Sequence, residues 1–313
     1  MRFRIRPDQF NYDFMGKMWL FFIASIVLVV GSVSLFLFKG LNYGIDFSGG
    51  ILIEIRTNQK VEVSELRDIL SNQPFGSVEL QHFGKDEDND VMIRLQPQEG
   101  GEENQTKTVE LIKKILSEKV PGGVDFRKID YVGPQVGKEL VRDGIISLAL
   151  SFLAIMVYVW LRFEWQFGVG AITALIHDAF LIIGLYSILD LEFNLTSIAA
   201  ILTIVGYSIN DSVVIYDRIR ENMRKYKKMP MKELINISIN STLSRTFLTA
   251  GCTLVATVAL IFLGGEVLKS FSIAVFWGVL IGTYSSVYIS APILVFMNVR
   301  KTTNQKNSQN SEE

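Results

Sequence analysis

The sequence predicts a polytopic α-helical membrane protein: six transmembrane helices, with a small ferredoxin-like α+β extracytoplasmic domain between helices 1 and 2. Three observations predict it. Apolar residues, glycine excluded, make up 49% of the chain and mean hydropathy is +0.30, more than soluble globular proteins usually carry. These residues gather in runs of about 20, the length that crosses a hydrocarbon core. One long polar segment, 39–139, interrupts them.

The elements follow in order. Residues 1–17 form a short basic N-terminus, and 18–38 the first span. That run is too long for the apolar core of a cleavable signal and lacks a small-residue cleavage site, so it reads as a retained anchor. Within 39–139 the pattern is β-α-β-β-α-β. Residues 51–56 (ILIEIR), 77–83 and 91–95 (VMIRL) alternate as strands. Residues 63–70 have helical spacing with Ser64 as N-cap, and 106–120 place Leu111, Ile112, Ile115 and Leu116 on one helical face. Residues 124–132 close the sheet, while 96–105 and Pro121-Gly122-Gly123 read as loops. The region 140–299 then holds five more spans, at 140–160, 168–189, 195–216, 246–264 and 267–299, with a basic cytoplasmic loop at about 218–244. The polar tail, 300–313, has the composition of a disordered segment.

Charge orients the chain. Arg2, Arg4, Arg6 and Lys17 precede the first span, Arg218 to Lys232 supply a basic cluster, and Arg300, Lys301 and Lys306 follow the last span. The positive-inside rule puts both termini and the basic loop in the cytoplasm. The polar insert, 40–139, carries 18 acidic and 12 basic side chains, a balance of −6 that excludes it as a nucleic-acid surface. Cys252 is the one cysteine, so no disulfide framework exists, and it reads as a small buried packing residue. His82 stands alone in the insert, and neither a metal site nor a cofactor is expected.

The chemistry lies where charge enters apolar runs. Asp211, in NLTSIAAILTIVGYSINDSVVIYD, sits inside a span, where insertion of a carboxylate costs about 2.5–3.5 kcal/mol. Asn210 and Ser208 share its turn, and Gly206 allows close helix approach. Arg245 opens the next apolar stretch as a candidate partner, a permanent cation because guanidinium does not deprotonate. Burial and a nearby cation act on such a carboxyl in opposite senses, so a group poised between them can bind and release a proton. A static ion pair holding the bundle is the alternative, as is snorkelling of Arg245 to the interface. His177-Asp178, in AITALIHDAFLII, reads either as interhelical glue or as a relay step. Glu266 is a solvated turn residue or the outer mouth of an ion path. GIDFSGG at 44–50, with Gly44, Asp46, Gly49 and Gly50, is a tight turn from span to strand or a packing element at the membrane surface. YVGPQVGKEL at 131–140, with Gly133, Pro134 and Gly137, is a hinge between domain and span. Gly278 and Gly282 suit close helix packing.

These motifs, together with LRFEW at 161–165, GYSINDSVVIYDRIREN at 206–222, SRTFLTAG at 244–251 and IGTYSSVYISA at 281–291, resemble the SecF family of the bacterial SecD–SecF protein-export complex, from the first span to the last. The resemblance implies an RND-superfamily-like half that pairs with SecD and associates with the SecYEG channel and YajC. It implies a role in late preprotein translocation across the inner membrane, driven by the proton-motive force without ATP. It matches the family's transmembrane aspartate and arginine to Asp211 and Arg245, and an outer acidic residue to Glu266; the coupling ion, proton or sodium, stays open. Two other readings compete: an RND-type small-molecule or lipid exporter half, and an intramembrane Ser–His enzyme using His177 and Ser208.

Overall fold

The computed structural model describes residues 11–59, 61–71, 75, 78–82, 89–96, 101–297 and 299, with backbone alone at 71, 101–103, 134, 266 and 267. Among the described residues, six helices are long and apolar enough to span a membrane: Met18–Lys39, Gln135–Arg162, Trp165–Leu189, Leu195–Lys225, Met231–Leu263 and Leu268–Phe296. The first is α1 (Met18–Lys39). β1 (Asn42–Tyr43), the single helical turn α2 (Ile45–Ser48), β2 (Gly50–Thr57), α3 (Val63–Ser71), β3 (Val78–His82), β4 (Asp90–Leu95), α4 (Gly101–Lys119) and β5 (Val124–Val132) make up the polar insert. α5 (Pro134–Arg162), α6 (Trp165–Leu189), β6 (Glu192–Phe193), α7 (Leu195–Lys225), α8 (Met231–Leu263) and α9 (Gly265–Ser285) follow. A π-helical turn, Ser286–Ser290, then joins α9 to α10 (Ala291–Phe296).

The insert is the expected split β-α-β-β-α-β unit, an antiparallel sheet of order β3-β4-β2-β5. Alternation along β2 puts Ile51, Ile53 and Ile55 under Leu66, Leu70, Ile112, Ile115 and Leu116 of the two helices, all buried. Register is pinned on the pair Arg56–Asp90, opposite one another across β2 and β4. The guanidinium donates to both carboxylate oxygens at 2.6 and 2.7 Å, the bidentate geometry that makes such pairs strong.

Several boundaries differ from those read in the sequence. The basic segment 218–244 is not a loop: α7 runs to Lys225 and α8 begins at Met231 after Pro230. Hydropathy marks only the lipid-length part of a helix. The polar continuations are amphipathic and bury Ile219, Leu234, Ile235, Ile239 and Leu243 in one cluster. α5 likewise starts at Pro134, six residues before the apolar run. Ser64 lies inside α3, and the helix is entered at Glu62, whose carbonyl accepts from Glu65 and Leu66. Part of the 96–105 loop is helix from Gly101 onward, and Leu111 faces outward, 41% exposed. Cys252 is exposed rather than buried. It sits on the outer side of α8, where an apolar thiol is as well placed against lipid as in a core. Arg2, Arg4, Arg6, Ser77, Phe83 and 300–313 lie outside the described residues.

Two glycine-rich motifs weld the insert to the bundle. Gly50 holds φ at +118°, and a Cβ there would lie 2.2 Å from the Leu95 carbonyl oxygen. Only glycine lets β2 start this close to β4. Gly137 faces α2: a Cβ would come within 3.2 Å of the Phe47 carbonyl oxygen and 3.4 Å of the Gly49 nitrogen. Gly137 therefore belongs to a close-packed start of α5. Gly50→Ala should prevent the insert from packing, because backbone cannot move aside as a flexible side chain can. Limited proteolysis of the full chain in detergent should show cleavage within 51–95; a wild-type pattern would contradict this.

Candidate functional site

Asp178 bonds side chains on two other helices of the bundle. It is fully buried on α6, and its Oδ2 accepts from the Ser208 hydroxyl of α7 at 2.6 Å and from the Ser285 hydroxyl of α9 at 2.8 Å. Its Oδ1 lies 2.9 Å from His177 Nδ1, an N–H that can donate to it. One carboxyl thus ties three helices. His177 is buried, and its Nε2 has no hydrogen-bond partner among the described residues. The His177 ring lies 6.1 Å from that of Tyr284, whose hydroxyl bonds the Phe21 carbonyl and Ser25 of α1.

The approach that makes this possible is set by small residues. A Cβ on Gly282 would stand 3.1 Å from Ser208 Cβ, and one on Gly278 would meet Ile204 at 2.4 Å. α9 therefore lies directly on α7, as expected for these two glycines. The π-helical turn follows at once, and its last residue, Ser290, shares a short hydrogen bond with the Tyr216 hydroxyl of α7. π-turns shift the helix face by part of a turn and recur at functional sites. Here the turn lets Ser285 and Ser290 both bond inward.

Asp211 lies on α7 three residues after Ser208, on the same face. It is 2% exposed, and its Oδ2 has no hydrogen-bond partner among the described residues. Buried polar atoms are nearly always satisfied, and a carboxylate oxygen is among the costliest to leave bare. Arg245 is on α8, exposed, and interacts with Asp211 electrostatically, but no ion pair joins them. Asn210 is exposed, one position round the helix. Gly206 is also exposed, and a Cβ there would meet nothing within 4 Å. The close approach expected at Gly206 is made instead at Ile204 and Ser208. Glu266 lies in the first turn of α9, and its side chain is outside the described residues.

A second set of contacts lies at the insert end. β1 pairs in parallel with β6, Asn42 beside Glu192 and Tyr43 beside Phe193. Arg94 of the insert sheet bonds Glu192 at 2.7 Å and Asn42 at 2.9 Å. Asp46, in the glycine-rich turn, accepts from the Leu195 N–H at 3.0 Å. It so joins the Asn194–Ser197 capping box in satisfying the α7 N-terminus. A carboxylate there also complements the helix dipole. Below the sheet, Glu54, Arg94, Lys128, Glu192 and Lys269 border a cleft of about 270 Å³. Burial raises the Glu54 pKa against the opposing pull of Lys128. Burial works against the Lys128 ammonium, but its contact with Asp130 prevails and raises its pKa. Among the described residues no cluster of His, Cys, Asp and Glu could hold a metal ion.

Sequence reading found Asp211, Asp178 and His177 from charge inside apolar runs. It missed Ser285 as the partner of Asp178, and the neighbouring Ser290–Tyr216 hydrogen bond. The available signal was three serines, at 285, 286 and 290, within one span.

Residues 112–300 match the family model for protein export membrane protein SecD/SecF, C-terminal, and 34–61 match the SecD/SecF GG motif, which takes in Gly49 and Gly50. The chain is 48% identical over 305 residues to protein translocase subunit SecF of Rickettsia akari, covering 96% of this chain and 97% of that protein. The chain belongs to the SecF family. Its counterpart in Rickettsia rickettsii is 50% identical over 301 residues, 95% of this chain and 96% of the relative. Among solved structures, SecDF from Thermus thermophilus, a translocon-associated membrane protein, superposes with a TM-score of 0.84 at 37% identity. That match covers 94% of this chain and 40% of the solved one. SecDF in a super-membrane-facing form gives a TM-score of 0.68 at 36% identity, covering 96% and 40%. The chain thus spans two fifths of SecDF. Similar identity with different TM-scores means that the two SecDF structures arrange this portion differently. SecF-family membership agrees with the six-span architecture and with the GG turn that docks the insert.

Two predictions follow from the geometry. Ser208→Ala and Ser285→Ala each remove one interhelical hydrogen bond, at about 0.6–2 kcal/mol, and Asp178→Leu removes all of them. Thermal unfolding in detergent should rank wild type above the serine variants and these above Asp178→Leu; an Asp178→Leu midpoint equal to wild type would dismiss the hub. At Glu54 the folded pKa exceeds the unfolded one, so its stabilising contribution is complete below the unfolded value and lost as pH rises through the folded value. Glu54→Gln should therefore unfold at a higher temperature than wild type at about pH 8, with the difference closing near pH 4, below the unfolded carboxyl pKa.

Proposed function

We propose that the chain is an accessory subunit of the bacterial Sec export machinery that pairs with SecD and uses the proton-motive force to promote late preprotein translocation. The observation that carries this reading is buried Asp211, whose Oδ2 has no hydrogen-bond partner among the described residues, three residues along α7 from the Ser208 that bonds Asp178. Asp211 takes up and releases the proton. Arg245, a fixed cation one helix away, sets the balance between its two states. The Asp178 hub holds α7 in the rotation that presents Asp211, with His177 and Asp178 available as a neighbouring proton site. Exposed Asn210 and Gly206 face the SecD half, and Glu266 lies at the outer end of the path.

Force reaches the translocating chain through α7. Asp46 and the β1–β6 pair fasten the insert to its N-terminus, so a shift of α7 at mid-membrane moves the domain outside. One charge crossing 100 mV releases about 2.3 kcal/mol, so a few protons per stroke exceed the cost of breaking contacts such as Arg94–Glu192. SecYEG and YajC are the further partners. The protein is a multi-pass inner-membrane subunit with both termini in the cytoplasm and the insert outside. It supports translocation without an enzymatic step of its own.

In inverted membrane vesicles, Asp211→Asn should lose the component of preprotein export that an imposed proton-motive force stimulates. ATP-driven early translocation and assembly with SecD should remain normal. Full stimulation in that variant would reduce Asp211 and Arg245 to structural residues and end this reading.

A further inference from the structure

The end of the bundle remote from the insert carries a charged pocket that the proton-path reading leaves unexplained. It is a cavity of about 580 Å³ between the end of α5 and the extension of α7, lined by Arg162, Asp217, Arg220, Glu221, Arg224 and Lys225. Both carboxylates are already engaged. Asp217 bonds Arg162 at 3.2 Å, and Glu221 bonds Arg218, outside the pocket, at 2.6 Å. Arg220 donates to the Arg162 carbonyl at 3.1 Å. Both guanidinium groups also lie against the buried ring of Phe163, at 5.0 and 5.2 Å from its centroid. Arg224 has no ion-pair partner among the described residues.

The lining carries four basic side chains against two carboxylates, a positive excess that an anion would complement. Its depth in the membrane is set by its neighbours. Tyr158, Trp160 and Trp165, close to Arg162 in sequence, are all exposed, and Leu161, next to Arg162, is 83% exposed. Exposed tryptophan and tyrosine mark the headgroup level of a bilayer, with exposed leucine pointing to acyl chains. Basic pockets between spanning helices at this level suit acidic lipid headgroups. Guanidinium pairs bind phosphate through paired N–H donors. We infer that Arg162, Arg220 and Arg224 form a binding site for the phosphate of an anionic phospholipid.

Native mass spectrometry of the full chain in detergent, mixed with dioleoylphosphatidylglycerol or dioleoylphosphatidylcholine, tests this. The phosphatidylglycerol adduct should be retained preferentially. Arg224→Gln, an exposed change that leaves folding intact, should weaken it about fivefold, the effect of one basic residue at a lipid surface. Arg127→Gln, on the exposed insert, should leave it unchanged. Equal retention of both lipids, or an adduct unaffected by Arg224→Gln, would overturn the proposal. Displacement of phosphatidylglycerol by millimolar inorganic phosphate would keep the phosphate site but overturn its lipid source. Loss of a co-purifying subunit in Arg224→Gln, with lipid retention unchanged, would assign the patch to a protein contact and also overturn it.

Discussion

The bundle depends on one buried carboxyl accepting hydrogen bonds from two other helices. Between apolar helices in lipid there is no hydrophobic gain to drive association, so small-residue packing and interhelical hydrogen bonds decide which faces meet. Asp178 supplies those bonds to Ser208 and Ser285, and Gly282 clears the space for Ser208. With α6, α7 and α9 joined at that point, the rotation of α7 is settled, and with it the direction of Asp211. The π-helical turn after Ser285 belongs to the same arrangement, since it brings Ser290 round to Tyr216.

The second constraint sits at the other end of α7. Four unpaired N–H groups at a helix start need acceptors, and here a capping box and Asp46 provide them. Asp46 belongs to the polar insert, so the helix that carries Asp211 also carries the insert's anchor. Gly50, at positive φ against Leu95, and Gly137, against Phe47, let the anchor pack without a gap. α7 is thus bonded to its neighbours at Ser208 and capped at its N-terminus by the insert, which makes it a direct connection between bundle and insert. The two SecDF structures match this chain with TM-scores of 0.84 and 0.68, so the corresponding portion is arranged differently in the two.

How much of this was legible in the sequence differs by level. The order of strands and helices in the insert was readable because period-2 and period-3.6 patterns are local; 124–132 emerges as β5 with the expected bounds. Asp178 and Asp211 were readable because a charge in an apolar run is conspicuous. The helical nature of 218–225 and 231–244 was not, since polar helix and polar loop have similar composition. What distinguishes them is Ile219 packing with Leu234 and Ile235 on the neighbouring helix. Leu111 and Cys252 were misplaced for the same reason: a residue's face depends on what lies opposite.

By itself, then, the sequence determined the number of apolar spans, the split β-α-β-β-α-β insert, the costly charges and the SecF-like motifs. Each of these is written in local periodicity or residue type. Only the tertiary structure decided who partners whom. It placed Ser208 and Ser285 on Asp178, left Asp211 Oδ2 without a partner among the described residues and Arg245 exposed, and packed Gly50 and Gly137 against neighbouring backbone. The reason is physical: hydrogen bonds and steric fit between helices depend on rotation and depth, which change by whole residues without altering the hydropathy of either helix.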